Sequence, residues 1–109
     1  MEKYHHKKDS YKLYQIELRM DDKISKLFKA LSDSSRMKIF HSLAIVSTAL
    51  SISQISTDFN MSRQGVTKHI KILEEASLIE IETKGRERYC RVNFNRLSEI
   101  KSWLNFYDK

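Results

Sequence analysis

The sequence predicts a small, mainly helical domain carrying one β-hairpin, and three observations predict it. First, the 109 residues include no proline and only two glycines, Gly65 and Gly85, so regular elements joined by short polar turns must fill most of the chain. Second, apolar residues recur every three to four positions over long stretches, the period of a helix with one buried face. Third, the stretch "LIEIETKGRERYCRV" alternates with period two on both sides of Lys84-Gly85, the signature of a hairpin. No repeat or low-complexity linker divides the chain. Residues 11–109 read as a single domain and residues 1–10 as a flexible polar tail.

Taken in order, Leu13, Ile16, Met20, Ile24, Leu27 and Leu31 keep helical spacing, joined by Phe28. Ile16, Leu18 and Met20 also alternate, so an extended start is the competing reading there. "SDSSR" then offers Asp33 as the N-cap of a second helix striped by Ile39, Phe40, Leu43 and Val46. Ser51-x-x-Gln54 is a capping-box pattern, in which each side chain satisfies the other residue's backbone N–H, and it opens a short helix to about Phe59. Asn60-Met61 makes a turn, and Ser62 caps a helix running to about Ala76. The hairpin follows. Asn93 or Asn95 then caps a terminal helix carrying Leu97, Ile100, Trp103, Leu104 and Tyr107. The expected order is α-α-α-α-β-β-α, that of a winged helix-turn-helix.

Bulk chemistry narrows the class further. A domain of this length can bury a core without disulfides or metal. Cys90 is the single cysteine, so no intramolecular disulfide forms and a reducing compartment fits. No apolar run approaches the roughly 18–20 residues that span a bilayer, and "MEKYHHKKDS" lacks the apolar core of a signal peptide. The expectation is a cytoplasmic chain with no membrane partner. Net charge is +6, and its placement is informative. Between Arg63 and Lys71 lie three Lys or Arg and no acid, and between Lys84 and Arg96 lie five against the single Glu87. Such clustering is the footprint of a phosphate-binding surface.

On a helical wheel at about 100° per residue, Ile70 and Leu73 fall within about 40° of Val66, and the three form an inward seam toward Ile55 and Phe59. Thr67, Lys71, Gln64 and Lys68 spread over roughly 100–200° on the opposite side, with Arg63 at the edge of the set. The B-DNA major groove admits one α-helix and offers purine acceptors, amino donors and thymine methyls. Arg and Lys suit guanine, Gln suits adenine, and a Thr methyl suits thymine. The first half of a recognition helix reaches the bases. Arg63, Gln64, Thr67 and Lys68 are therefore the candidate base readers, with Ser62 and Lys71 on phosphate. Gly65 lacks a side chain at a cost of about 1 kcal/mol relative to Ala in a helix, which fits a close approach of backbone to DNA or to a neighbouring helix. In the hairpin, Lys84, Arg86 and Arg88 are candidate phosphate contacts. Strand alternation places Arg86, Arg88, Cys90 and Val92 on one face and Glu87, Tyr89 and Arg91 on the other, and leaves open which face packs inward.

These segments resemble the arsenic-repressor (ArsR) family of bacterial winged-helix regulators. "LFKALSDSSRMKIFHSL" is similar to that family's opening, "MSRQGVTKHIKILEEASLIE" to its recognition helix, "KGRERYCRVN" to its wing and "LSEIKSWL" to its last helix. The likeness covers about Ile24 to Leu104. Ser34 stands where the family usually has proline, and Ser77 where it usually has glycine. Metal-sensing members carry Cys-x-Cys in the first helix of the helix-turn-helix, whereas this chain reads Leu50-Ser51-Ile52-Ser53, and its terminal helix contains no histidine. The resemblance therefore implies DNA binding and dimerisation without metal sensing. It implies that first and last helices pair across a two-fold axis, with Leu13, Ile16, Met20, Leu97, Ile100, Leu104 and Tyr107 as candidate contacts.

Other residues invite functional readings and favour structural ones. Cys90 reads as a buried, hydrophobe-like thiol. The alternative is a redox switch, for which Arg88 and Arg91 would have to lower its pKa. His5-His6 has no third metal ligand in sight. His69, beside the inward seam, is expected to be held by a hydrogen bond, and Trp103 to lie in a core or dimer contact. No serine sits with a histidine and an acid in a recognisable arrangement, and no glycine-rich phosphate loop occurs, so no catalytic apparatus or cofactor is expected. The resulting expectation is a homodimeric regulator, a repressor reading an inverted repeat in double-stranded DNA, released by an unknown small-molecule or protein effector or by its own level. The competing reading is a winged-helix module whose basic face meets an acidic protein.

Overall fold

The computed structural model describes residues 22–108, beginning in helix α1 (22–31). Helix α2 (Ser34–Val46) follows, then strand β1 (Leu50–Ser51), helix α3 (Ile52–Asp58) and helix α4 (Arg63–Glu75). Strands β2 (Ile79–Lys84) and β3 (Glu87–Val92) form the hairpin, and helix α5 (Phe94–Tyr107) ends the chain. This is the winged helix-turn-helix order with one addition. β1 escapes the sequence reading because two residues carry no period. It pairs antiparallel with β3, Leu50 opposite Cys90 and Ser51 opposite Tyr89, so the sheet has three strands in the order β1-β3-β2.

Helix starts fall where side-chain acceptors satisfy orphan N–H groups. Asp33 accepts from Arg36 N at 2.9 Å, Ser62 from Gly65 N at 3.0 Å, and Asn93 from Arg96 N at 3.4 Å. Asn93, not Asn95, is the last cap. The capping box is complete: Ser51 Oγ accepts from Gln54 N at 3.1 Å while Gln54 Oε1 accepts from Ser51 N at 2.8 Å. Ser34 is the first residue of α2, the one helical position where a proline would also be tolerated. At the end of α4, Leu78 N donates to Leu73 O and Ser77 N to Glu74 O, a Schellman closure that needs a left-handed residue at its centre. Ser77 supplies it at φ 61.

The core lies between the helices and one face of the sheet. Leu27 and Ala30 of α1, Ile39, Phe40 and Leu43 of α2, Ile52 and Ile55 of α3, and Val66, Ile70 and Leu73 of α4 are buried with Ile79, Cys90 and Val92 of the hairpin. Burying one such aliphatic side chain contributes roughly 1.5–3 kcal/mol, and this shared burial fixes α3 and α4 relative to each other. Phe59 and Met61 pack at its edge, and the Ser56 hydroxyl donates to Met61 O to close the turn between the two helices. Arg36 adds a polar tie. Its Nε donates to Ala30 O at 2.6 Å, an orphan carbonyl at the end of α1, and its Nη1 lies 3.3 Å from His69 Nδ1 on α4. Since a guanidinium only donates, Nδ1 must be the accepting nitrogen of His69.

Candidate nucleic-acid interface

Helix α4 has two chemically distinct sides. Val66, Ile70 and Leu73 are at most 1% exposed, while Ser62, Arg63, Gln64, Lys68 and Lys71 are exposed and Thr67 is half-buried. Its first turn contains no acidic residue, so its positive dipole end is left for an outside anion. Gly65 lies in the first turn of α4. A Cβ there would sit 3.2 Å from the Ser62 hydroxyl, so what the missing side chain makes room for is the helix's own N-cap.

The hairpin resolves the open choice of face. Cys90 and Val92 point into the core, which places Arg88 on the side turned toward α4. Its Nη2 donates to Thr67 Oγ1 at 3.4 Å. Arg63, Gln64, Thr67, Lys68 and Arg88 together line one concavity of about 540 Å³. Sequence alternation assigned Arg86 to the same strand face as Arg88, but the structure puts Arg86 in the turn after Gly85. Gly85 has φ 63, and glycine at the first central position of a two-residue hairpin turn fits the tight II′ type. Lys84 and Arg86 are exposed at this tip, with Lys84 Nζ 6.0 Å from the Tyr89 ring centre. Arg91, on the outer face, is held by Glu80 at 3.2 Å and by Glu82 at 3.7 Å.

Arg63 is not the free side chain that helical spacing suggests. Its Nη1 donates to the Ser53 hydroxyl, and its Nη2 lies 3.4 Å from Glu87 Oε1. Ser53 in turn donates to Glu87 Oε2 at 2.8 Å. The Ser53 hydrogen bond, with help from Arg63, holds the Glu87 carboxyl below its usual range against partial desolvation. Sequence reading missed Glu87 and Ser53, because neither lies near Arg63 along the chain.

The lone thiol is settled by burial. Cys90 is fully buried, and desolvation pushes its pKa up to about 11 despite the opposing charge of Arg88. The thiolate needed for redox chemistry is thereby suppressed; Arg91 points to the other face. No group of three potential metal ligands occurs among the described residues, and none of their helices is long and apolar enough to cross a membrane.

A second surface lies along α1 and α5. Of the residues expected there, Leu97 and Ile100 are half-buried against the subunit's own core, while Leu104 and Tyr107 are 51% and 62% exposed. Leu13, Ile16 and Met20, like the tail and His5-His6, fall outside the described residues. Phe28, which the sequence reading placed in the first helix's apolar stripe and not in a dimer contact, and Phe106 extend this surface at 44% and 66% exposure. Phe28, Trp103 and Tyr107 make successive edge-to-face contacts at 5.7 and 5.1 Å.

Comparison with known proteins gives a consistent picture. The family model described as a helix-turn-helix domain matches residues 31–82. The chain is 32% identical to the transcriptional repressor SdpR of Bacillus subtilis (strain 168) over 87 residues, 79% of this chain and 94% of that protein. An ArsR-like transcriptional regulator from Rhodococcus sp. RHA1 superposes with a TM-score of 0.72 at 28% identity, covering 82% of each chain. A homodimeric winged helix-turn-helix DNA-binding domain from Mycobacterium bovis superposes with a TM-score of 0.68 at 19% identity, over 84% of this chain and 82% of that one. At that identity it speaks to the fold alone.

Proposed function

Because this chain belongs to the ArsR family of winged-helix transcriptional regulators, we propose that it is a homodimeric repressor that reads an inverted-repeat operator in double-stranded DNA. The observation that carries this reading is the continuous surface made by the outer side of α4 and Arg88 of the wing. Gln64, Thr67 and Lys68 are assigned to base edges, with Arg63 beside them in the geometry that Ser53 and Glu87 impose. Ser62, Lys71, Lys84, Arg86 and Arg88 are assigned to phosphates, where they supply affinity and register without reading sequence.

Dimerisation is supported by α5. None of its residues is buried, although a helix of this composition is stable when its apolar side is covered. Leu104, Tyr107, Phe28 and Trp103 are assigned to a contact with a second copy. A two-fold pair would present two α4 helices to successive major grooves about 34 Å apart, and hence read an inverted repeat.

A gel-shift titration over genomic fragments that include the DNA upstream of its own gene tests this. Binding should be saturable on one fragment and fall by about 10³-fold or more between 50 and 200 mM salt if six or more phosphates are contacted. Affinity that ignores salt, or binding equal on all fragments, would refute the assignment.

A further inference from the structure

Arg63, Ser53 and Glu87 come from the first turn of α4, the first turn of α3 and the first residue of β3. Arg63 Nη1 donates to Ser53 Oγ, Ser53 gives its single proton to Glu87 Oε2 at 2.8 Å, and Glu87 Oε1 faces Arg63 Nη2 at 3.4 Å. Of the three groups only the hydroxyl both accepts and donates, the guanidinium being donor-only and the carboxylate acceptor-only, so they close a ring in which every role is fixed. We propose that this ring makes Glu87 and Ser53 positioning residues for Arg63, setting base preference where Arg63 reaches the operator without touching DNA themselves. The inference rests on the DNA-reading function above and adds a specificity device to it.

A guanidinium carries five N–H donors in a rigid fork; the ring engages its two terminal nitrogens once each and leaves the rest of the donors to the outside. The Arg63 side chain remains 55% exposed, so the fork is held and still accessible. An exposed Arg–Glu pair alone holds little, but charge-assisted bonds relayed through a hydroxyl reinforce one another. Ordering the fork before binding removes part of the rotamer entropy that a free arginine loses on docking. Finally, a carboxylate beside a phosphate-binding surface opposes binding to any DNA. Glu87 therefore lowers indiscriminate affinity while sharpening Arg63, two effects of opposite sign that a simple packing role does not produce.

The test selects duplexes from a randomised pool with the full-length wild type, Arg63→Ala, Glu87→Gln, Ser53→Ala and Ser53→Thr, with thermal melts to verify folding. Arg63→Ala identifies the base positions that Arg63 reads. Glu87→Gln and Ser53→Ala should relax preference at those same positions, on the order of tenfold, and leave the others intact. Ser53→Thr, which keeps the hydroxyl, should restore preference. Glu87→Gln should also bind the unselected pool several-fold more tightly. Unchanged preference in Glu87→Gln, uniform loss at all positions, or sharper preference at the Arg63 positions would each overturn the inference; the last would mean that the carboxylate sequesters Arg63. If the wild type enriches no sequence, the DNA-reading function itself fails, an outcome distinct from these.

Discussion

Helices α4 and α5 have nearly the same length, 13 and 14 residues, and both lie at the surface, yet they are exposed in opposite senses. α4 buries its three seam residues completely and turns Gln64, Lys68 and Lys71 outward. α5 buries no residue completely and leaves Leu104, Phe106 and Tyr107 in the open. For α4, stability is supplied from within the subunit, so the outer side chains are free to suit a polyanion. For α5, apolar area is left uncovered by the subunit's own core, and removing such area from water contributes roughly 25 cal/mol per Å². A large exposed apolar patch marks an interaction site. One helix is complete among the described residues, and the other is where we propose that a second copy docks.

The comparison breaks most visibly at α5. Leu104→Glu should leave the monomer folded and weaken self-association by about 4 kcal/mol or more, on the order of 10³-fold, because a two-fold axis counts the lost burial twice. Sedimentation equilibrium across a concentration series measures this, and an unchanged association state would remove α5 from the interface. On α4, replacing Gln64 and Lys68 together with Ala should lower operator affinity by about 10²-fold or more with little change in melting temperature. A comparable fall on random DNA would assign both residues to phosphates.

Neither surface depends on Cys90, which supplies an interior control. The thiol ionises near 9.0 when unfolded and near 11 in the fold. Above pH 9 the unfolded chain therefore sheds a proton that the folded chain keeps. The stabilisation is complete below pH 9 and is lost, by about 2–3 kcal/mol, as pH rises through 11. Denaturant titrations of wild type against Cys90→Ala over that window should show the difference; parallel pH dependence would mean the thiol is hydrated. The smallest expected effect is at the exit of α4. Ser77→Gly relieves a left-handed serine at φ 61 and should stabilise the fold by about 0.5–1 kcal/mol, leaving DNA affinity and association unchanged. Loss of stability would show that the Ser77 side chain contributes more than its strained backbone costs.

Much of the architecture was written in short-range pattern. The caps Asp33, Ser51 with Gln54, and Ser62 lie within three residues of the N–H groups they satisfy, and the seam of α4 follows from a period of about 3.6. Adjacent residues are forced into each other's company, so sequence alone determined the helices, the hairpin, the cationic side of α4 and the family. Only the tertiary structure decided what depends on distant partners. It paired two-residue β1 with β3 through Leu50 and Cys90, turned Arg88 toward Thr67 and Arg91 toward Glu80, and let burial outweigh positive charge at Cys90. It also brought Glu87 to Arg63, 24 residues away. Period and capping report one element at a time, whereas these features exist only where separate elements meet. At such meetings desolvation and hydrogen-bond geometry, not spacing along the chain, set the chemistry.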